Sequence, residues 1–255
     1  MKHKSYSTAK TVQKAFKILE ILAEKQPLRP PDLVKHLKLT RSNVHRLLST
    51  LEDLGYIEKS DDSRFRLTFK VFIVGSTIPV RNHLTDIARP YIVRLAEIAQ
   101  ENVNLAIMYE QKVLYIDKIE SSHYLKLDQP IGRTDPLHCT ALGKILLSGL
   151  TDHELKVLLK SYSLVRLTKN TIADKKVLIN VIQKVRKEGY AVDLEELSEG
   201  IHCISSPIRN HTNKVIAALS ISAPAVRLTI EKMKELKVPL IETAGEISKK
   251  LGCTS

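Results

Sequence analysis

The sequence has little of what marks several common protein classes. It carries three cysteines, Cys139, Cys203 and Cys253, an odd number with no Cys-x-x-Cys pair. A disulfide framework or a structural zinc site is therefore not expected. No run of about eighteen consecutive apolar residues occurs, so no membrane span is expected. The opening MKHKSYSTAK has no apolar signal region, which points to a soluble cytoplasmic protein. Tryptophan is absent, and no repetitive or Pro/Ser-rich tract argues for disorder. Gly-x-Ser-x-Gly, P-loop and dinucleotide fingerprints are all missing. His138-Cys139 and His202-Cys203 could suggest a thiol and its base. On strands, however, sequence neighbours point to opposite faces and cannot pair. The expectation is a protein that is not an enzyme, with no catalytic residue, metal or cofactor.

What is present is an ordinary globular composition of 255 residues, 43% hydrophobic and 27% charged, enough for one large or two moderate domains. The formal charge is +12. Residues 1–78 hold 15 Lys and Arg against 8 Asp and Glu, while the rest hold 25 against 20. More than half of the excess thus sits in the first third, which favours a polyanion contact there.

Apolar spacing predicts a helix over Ser7–Lys25, with Val12, Ala15, Phe16, Leu19, Leu22 and Ala23 as its stripe. A short helix follows over Pro30–Leu37 with Leu33, Val34 and Leu37 inward, and a third over Arg41–Leu54 with Val44, Leu47, Leu48, Leu51 and Leu54 inward. Thr40 is placed to cap the third helix, and Gly55 to end it. Strands over Tyr56–Lys59 and Arg64–Leu67 flank the turn 60–63. This is the order of a winged helix-turn-helix. Residues 71–101 form a helical connector broken near Pro79. The remainder, 102–255, mixes strands (Val103–Tyr109, Val113–Ile119, Tyr124–Leu127, Tyr190–Asp193, Ile201–Pro207, Lys214–Ser222) with helices over Thr140–Ser148, Asp152–Tyr162, Asp174–Glu188 and Thr229–Leu251. Pro239 should kink the last helix. The fold class is α+β.

The third helix opens Thr40-Arg41-Ser42-Asn43-Val44-His45-Arg46. Thr40, Ser42 and Asn43 can hydrogen-bond phosphates or base edges. Arg41 and Arg46 can neutralise phosphates or pair with guanine, and His45 faces outward. Lys59, Arg64 and Arg66 on the hairpin are candidate phosphate contacts. A solvated basic helix, or a winged helix used for protein contact, is the alternative reading.

The chain resembles the IclR family of bacterial transcription regulators. The resemblance rests on Ala15-Phe16-Lys17-Ile18-Leu19-Glu20, Ser42-Asn43-Val44-His45-Arg46-Leu47-Leu48-Ser49-Thr50-Leu51 and Leu54-Gly55-Tyr56-Ile57. In the second domain it rests on Pro136–Lys144, Arg186–Asp193, Glu199–Ile204 and Ala218–Pro224. It implies a DNA-binding domain over 1–70 and a GAF-like effector-binding and oligomerisation domain over 102–255. It also implies a repressor that binds double-stranded, palindromic operator DNA as a homodimer or homotetramer.

For the effector, the first-turn N–H groups near Ala141 and Leu142 favour a carboxylate. Ser220 and Ser222 share one face of a strand. Cys203 and Asp193 lie on other strands that can complete a small polar cavity for an organic acid. The resemblance implies the same six residues and adds Tyr124 and Leu127 near the wall. Ala141, His202 and the acid in Arg133-Thr134-Asp135 depart from common family choices. Four other readings stay open: serines satisfied by neighbouring backbone, an inert buried Cys203, Asp193 as a strand-end turn residue, and a domain that only oligomerises.

Overall fold

The computed structural model describes residues 9–76, 79–125 and 127–254. The chain divides into two compact units, Met1–Asn82 and His83–Ser255. The first contains α1 (Lys10–Lys25), α2 (Pro30–Leu37), α3 (Arg41–Asp53), β1 (Ile57–Lys59), β2 (Phe65–Leu67) and α4 (Phe69–Ser76). Its core gathers Ile18, Leu22, Leu33, Val44, Leu48, Ile57 and Phe65. The buried side of α1 is rotated from the expected stripe. Ile18, Ile21 and Leu22 are buried, while Val12, Phe16 and Ala23 are exposed. The helix is apolar on more than one side, so spacing alone does not choose the inner one. Ala9 is the N-cap of α1, and Ser7 and Thr8 lie outside the described residues.

Local signals set the next elements. Asp32 accepts the Arg29 N–H at 3.2 Å and closes the start of α2. Lys38 turns the chain in the left-handed region (φ 53°). The Thr40 hydroxyl accepts the Asn43 N–H at 3.4 Å at the start of α3. Gly55 leaves α3 at φ +74°, a conformation that costs a side-chain-bearing residue more. Leu54, expected inside, is exposed, because α3 ends at Asp53 and the apolar face turns away. β1 and β2 pair antiparallel, with Glu58 opposite Arg66 and Lys59 opposite Phe65. Leu28 adds a bridge to Phe65 through two backbone bonds of 3.1 and 2.8 Å, a third edge that propensity does not foretell.

The second unit centres on a six-stranded antiparallel sheet in the order β5-β4-β3-β8-β7-β6. The strands are β3 (Asn102–Tyr109), β4 (Lys112–Ile119), β5 (Thr134–Pro136), β6 (Ala191–Leu194), β7 (Ile201–Arg209) and β8 (Val215–Pro224). Glu110 and Gln111, both at positive φ, make the tight turn between β3 and β4. Alternation splits the side chains between two faces. Val103, Leu105, Ile204, Leu219 and Ile221 face α5 (Pro79–Ala99) and α9 (Ile230–Lys250). Ala106, Tyr115, Ala191 and Ala218 face the layer of α6 (Ala141–Ser148), α7 (Asp152–Ser161) and α8 (Lys175–Glu188). Helix α5 places Leu84, Ala88, Ile92 and Leu95 in the first of these cores, so this part of the expected connector is core. Residues 77 and 78, where the connector was expected to break, are not described. Pro239 stands inside α9, and the Thr243 hydroxyl donates to its carbonyl at 2.7 Å.

The strand expected over Tyr124–Leu127 does not form; the edge strand is Thr134–Pro136 instead. Side chains hold this segment in place of a ladder. Asn102 Nδ2 donates to Leu127 O at 2.8 Å, and Arg227 donates to Leu125 O at 3.0 Å. Lys126 lies outside the described residues.

Candidate effector cavity and DNA-binding helix

In the first unit, the face of α3 opposite Val44, Leu47, Leu48 and Leu51 is open. Arg41, Ser42, His45 and Arg46 are exposed, and Asn43 is half-buried. Thr40 is exposed, but its hydroxyl is engaged as the cap. On the hairpin Lys59 is exposed, whereas both arginines already have acidic partners. Arg66 Nε lies 2.6 Å from Glu58 across the strand pair, and Arg64 Nε lies 2.8 Å from Asp62. A hydrogen bond from Ser60, with Arg64 adding to it, holds the Asp62 carboxyl below its ordinary range. Exposed pairs of this kind contribute at most about 1 kcal/mol, so a phosphate can displace the acid. The strand register for Glu58 and the hairpin turn for Asp62 were the signals that could have revealed these partners.

In the second unit a cavity of about 490 Å³ opens beside the sheet face that carries α6. Strand pairing builds its floor. Asp193, Cys203, Ser222 and Asn102 lie side by side across β6, β7, β8 and β3, with Ser220 and Asn104 paired in the next row on that face. Asn104 Nδ2 lies 2.8 Å from Ser222 Oγ, 3.5 Å from Ser220 Oγ and 3.1 Å from Gln129 Oε1. The Ser222 hydroxyl donates to Gln129 Oε1 at 3.2 Å. Gln129 donates to the Tyr115 hydroxyl at 3.4 Å, Tyr115 donates to Asp135 at 3.0 Å, and Arg133 Nε donates to Asp135 at 3.0 Å. One polar chain thus runs from the two serines to Arg133. The serines meet Asn104 and Gln129 rather than neighbouring backbone.

Helix α6 supplies the opposite chemistry. Thr140 caps it, accepting the Gly143 N–H at 3.0 Å and donating to Pro136 O at 2.9 Å. Ala141 and Leu142 line the cavity, and their N–H groups have no partner among the described residues. The helix comes this close because position 143 is glycine. A Cβ there would stand 2.1 Å from the Leu137 carbonyl oxygen. Two free N–H groups at a helix start favour an anion.

Asp193 is fully buried. Its Oδ1 accepts the Glu196 N–H at 2.7 Å, while Oδ2 has no partner in the described structure. Burial, opposed by the Glu196 N–H and the Lys144 charge, pushes its carboxyl up to about 7. Burial also lifts the thiol of Cys139 to about 12 and raises that of Cys203, so both stay protonated at neutral pH. His138 Nε2 lies 3.0 Å from Val165 O, and His202 Nδ1 lies 2.8 Å from Leu228 O. Each imidazole is thereby engaged with a backbone carbonyl.

The cavity brings together Ala141, Leu142, Asp193, Cys203, Ser220, Ser222 and Leu127. Tyr124 is not among its walls; its side chain is fully exposed because the segment it belongs to is a loop. The acid of Arg133-Thr134-Asp135, singled out only as a departure, lies in the wall with Arg133, and residue-level reading missed Tyr115 and Gln129 in the wall and Asn104 beneath it.

Residues 11–61 match the IclR helix-turn-helix domain, and residues 77–249 match the C-terminal domain of bacterial transcriptional regulator IclR. The chain belongs to the IclR family. It is 33% identical over 250 residues to the HTH-type transcriptional regulator KdgR of Escherichia coli K12, covering 98% of this chain and 95% of that one. The IclR structure from Thermotoga maritima superposes with a TM-score of 0.80 at 33% identity, over 96% of this chain and 100% of the other. An IclR homologue from Microbacterium hydrocarbonoxydans, complexed with 4-hydroxybenzoate, shares the fold. Its TM-score is 0.84 at 21% identity, over 94% of this chain and 98% of that one. The chain is accordingly an IclR-type transcriptional regulator with a DNA-binding helix-turn-helix. No described helix is long and apolar enough to cross a membrane.

Proposed function

We propose that this IclR-type regulator is a repressor whose hold on a palindromic operator is set by a small hydroxylated carboxylic acid bound in the second unit. The carrying observation is the pairing of opposite needs in one cavity. The free N–H groups of Ala141 and Leu142 call for a carboxylate, and the partnerless Asp193 Oδ2, half-protonated near neutral pH, calls for a hydroxyl that can donate or accept. Ser220, Ser222 and Gln129 offer further polar contacts, with Cys203 and Leu127 as packing. A volume of about 490 Å³ suits a single small metabolite. The homologue complexed with 4-hydroxybenzoate supports an organic acid as the ligand class. An open polar cavity counts against a domain that only oligomerises.

On the DNA side, α3 enters the major groove. Arg41, Ser42, Asn43, His45 and Arg46 face the bases and phosphates, and Thr40 fixes the helix start. Lys59, Arg64 and Arg66 hold phosphates. Phe69 and Phe72 on α4, with Val12 and Phe16 on α1, expose apolar surface that supports assembly into a homodimer or homotetramer. Twofold assembly matches a palindromic site. Repression needs only operator occupancy, whereas activation needs a polymerase contact as well. The effector acts by binding one arrangement of the assembly better than another.

The test is calorimetry on the full chain with D-gluconate, D-glycerate, pyruvate and 4-hydroxybenzoate. A hydroxylated acid is expected to bind, and a Ser220→Ala, Ser222→Ala double variant to lose about tenfold or more in affinity. If none binds, or if the double variant binds equally well, the effector assignment is wrong. For DNA, Arg41→Ala or Asn43→Ala should relax base preference at a cost of about 1–3 kcal/mol. Arg64→Ala should weaken all sequences alike and flatten the salt dependence. If Arg64→Ala instead changes sequence preference, the phosphate role fails.

A further inference from the structure

A buried lysine joins the two halves of the effector cavity. Lys144 lies in α6, one turn after the N–H groups of Ala141 and Leu142, and its side chain is 2% exposed. Its ammonium donates to Val192 O at 2.7 Å and to the Glu196 carboxylate. Val192 precedes Asp193 in β6, and the Glu196 N–H holds Asp193 Oδ1. The lysine therefore grips both sides of the residue whose other oxygen stands free.

Resting on the effector reading above, we propose that Lys144 is the positioning residue of the effector site. It ties the 192–196 segment to α6, so that Asp193 presents an unshared carboxyl oxygen beside the helix start. Neither Lys144 nor Glu196 lines the effector cavity; they act through Asp193.

Electrostatics support the geometry. The charged and titratable groups around Asp193 are Lys144 from α6, Glu196 from the following loop, Cys203 from β7, Cys139 before α6, and Asp135 with its partner Arg133 at the β5 edge. The Lys144 charge lowers the Asp193 carboxyl and the Glu196 charge raises it. Glu196 Oε2 is buried without a partner in the described structure, so Lys144 compensates two carboxylates at once. The loop itself has independent anchors. Thr171 Oγ donates to Glu196 O at 2.7 Å, and Thr168 Oγ to Glu195 O at 2.6 Å. Removing the lysine should therefore loosen Asp193 and its bond to the Glu196 N–H while the loop stays folded.

The experiment is carbon-13 NMR titration of the Asp193 carboxyl in the unliganded full chain, with amide exchange read at Glu196. Glu196→Gln should lower the Asp193 midpoint by about one pH unit, because Lys144 then serves Asp193 alone. Lys144→Met should raise it by about one unit and speed exchange of the Glu196 amide. If Lys144→Met does not fold, the double variant Lys144→Met, Glu196→Gln serves instead, with a midpoint above that of Glu196→Gln alone. Opposite shifts support the proposal. If Asp193 titrates at the wild-type pH in the variants, or if all shift the same way, the proposal is overturned. No effector enters this titration, so its failure is distinct from failure of the effector reading.

Discussion

Two helices in this protein begin alike and differ in what surrounds them. Both α3 and α6 are capped by threonine, Thr40 and Thr140, each accepting the N–H three residues on. Thr40 is exposed and its bond is 3.4 Å long; Thr140 is buried and makes two bonds of 3.0 and 2.9 Å. In the open, the helix start offers its side chains, and Arg41, Ser42 and Asn43 are long or polar. Inside, the helix start offers its backbone, and Ala141, Leu142 and Gly143 are small or apolar enough to let it reach a cavity. The same local device serves a polyanion outside and, as we propose, a small anion inside. Burial decides which.

The sharpest break of this comparison is Gly143→Val. Its Cβ would enter the backbone of Leu137, at 2.1 Å from the oxygen and 2.5 Å from Cα. The expected loss is about 3 kcal/mol or more, seen as a lowered midpoint for the second unit in thermal denaturation. An unchanged midpoint would show that close approach does not hold α6 in place.

Next is the pH dependence that burial imposes on Asp193. Its folded carboxyl titrates near 7 against an ordinary 3.8, so the native state binds the extra proton. The group's stability contribution is therefore fully present below the unfolded value and is lost as pH rises through about 7. Asp193→Asn should stabilise the unliganded protein at pH 8 by about 2–4 kcal/mol and flatten its profile between pH 4 and 7. A variant that keeps the wild-type slope would place the titration elsewhere.

The smallest effect separates the caps themselves. Thr140→Ala should cost about 2 kcal/mol, because it strands the buried Gly143 N–H. Thr40→Ala should cost about 0.5–1 kcal/mol, since water replaces a long exposed bond. Equal losses in chemical denaturation would erase the distinction between the two helix starts.

Short-range signals made much of this legible. The cap at Thr40, the turn at Gly55 and the shared face of Ser220 and Ser222 depend only on nearby residues. Cys203 and Asp193 followed once the strands were paired. What escaped depends on distant partners or on a choice between similar faces. Asn104 meets Ser222 across 118 positions, and Lys144 meets Glu196 across 52. The inner side of α1 could not be picked from a helix apolar on several sides. The residue pattern around Tyr124 predicts a strand, but the segment is held by the side chains of Asn102 and Arg227, which carry no periodicity. The acid partners of Arg64 and Arg66 become visible only with the hairpin turn and register.

The central claim is that the buried helix start governs the exposed one. Its most direct test is the affinity of the full chain for an operator duplex, selected from random sequences, measured while the four acids are titrated in. For an acid shown by calorimetry to bind, operator Kd should change by about tenfold in the wild type and stay constant in the Ser220→Ala, Ser222→Ala double variant. A wild-type protein saturated with that acid and still holding its operator with unchanged Kd would contradict the claim.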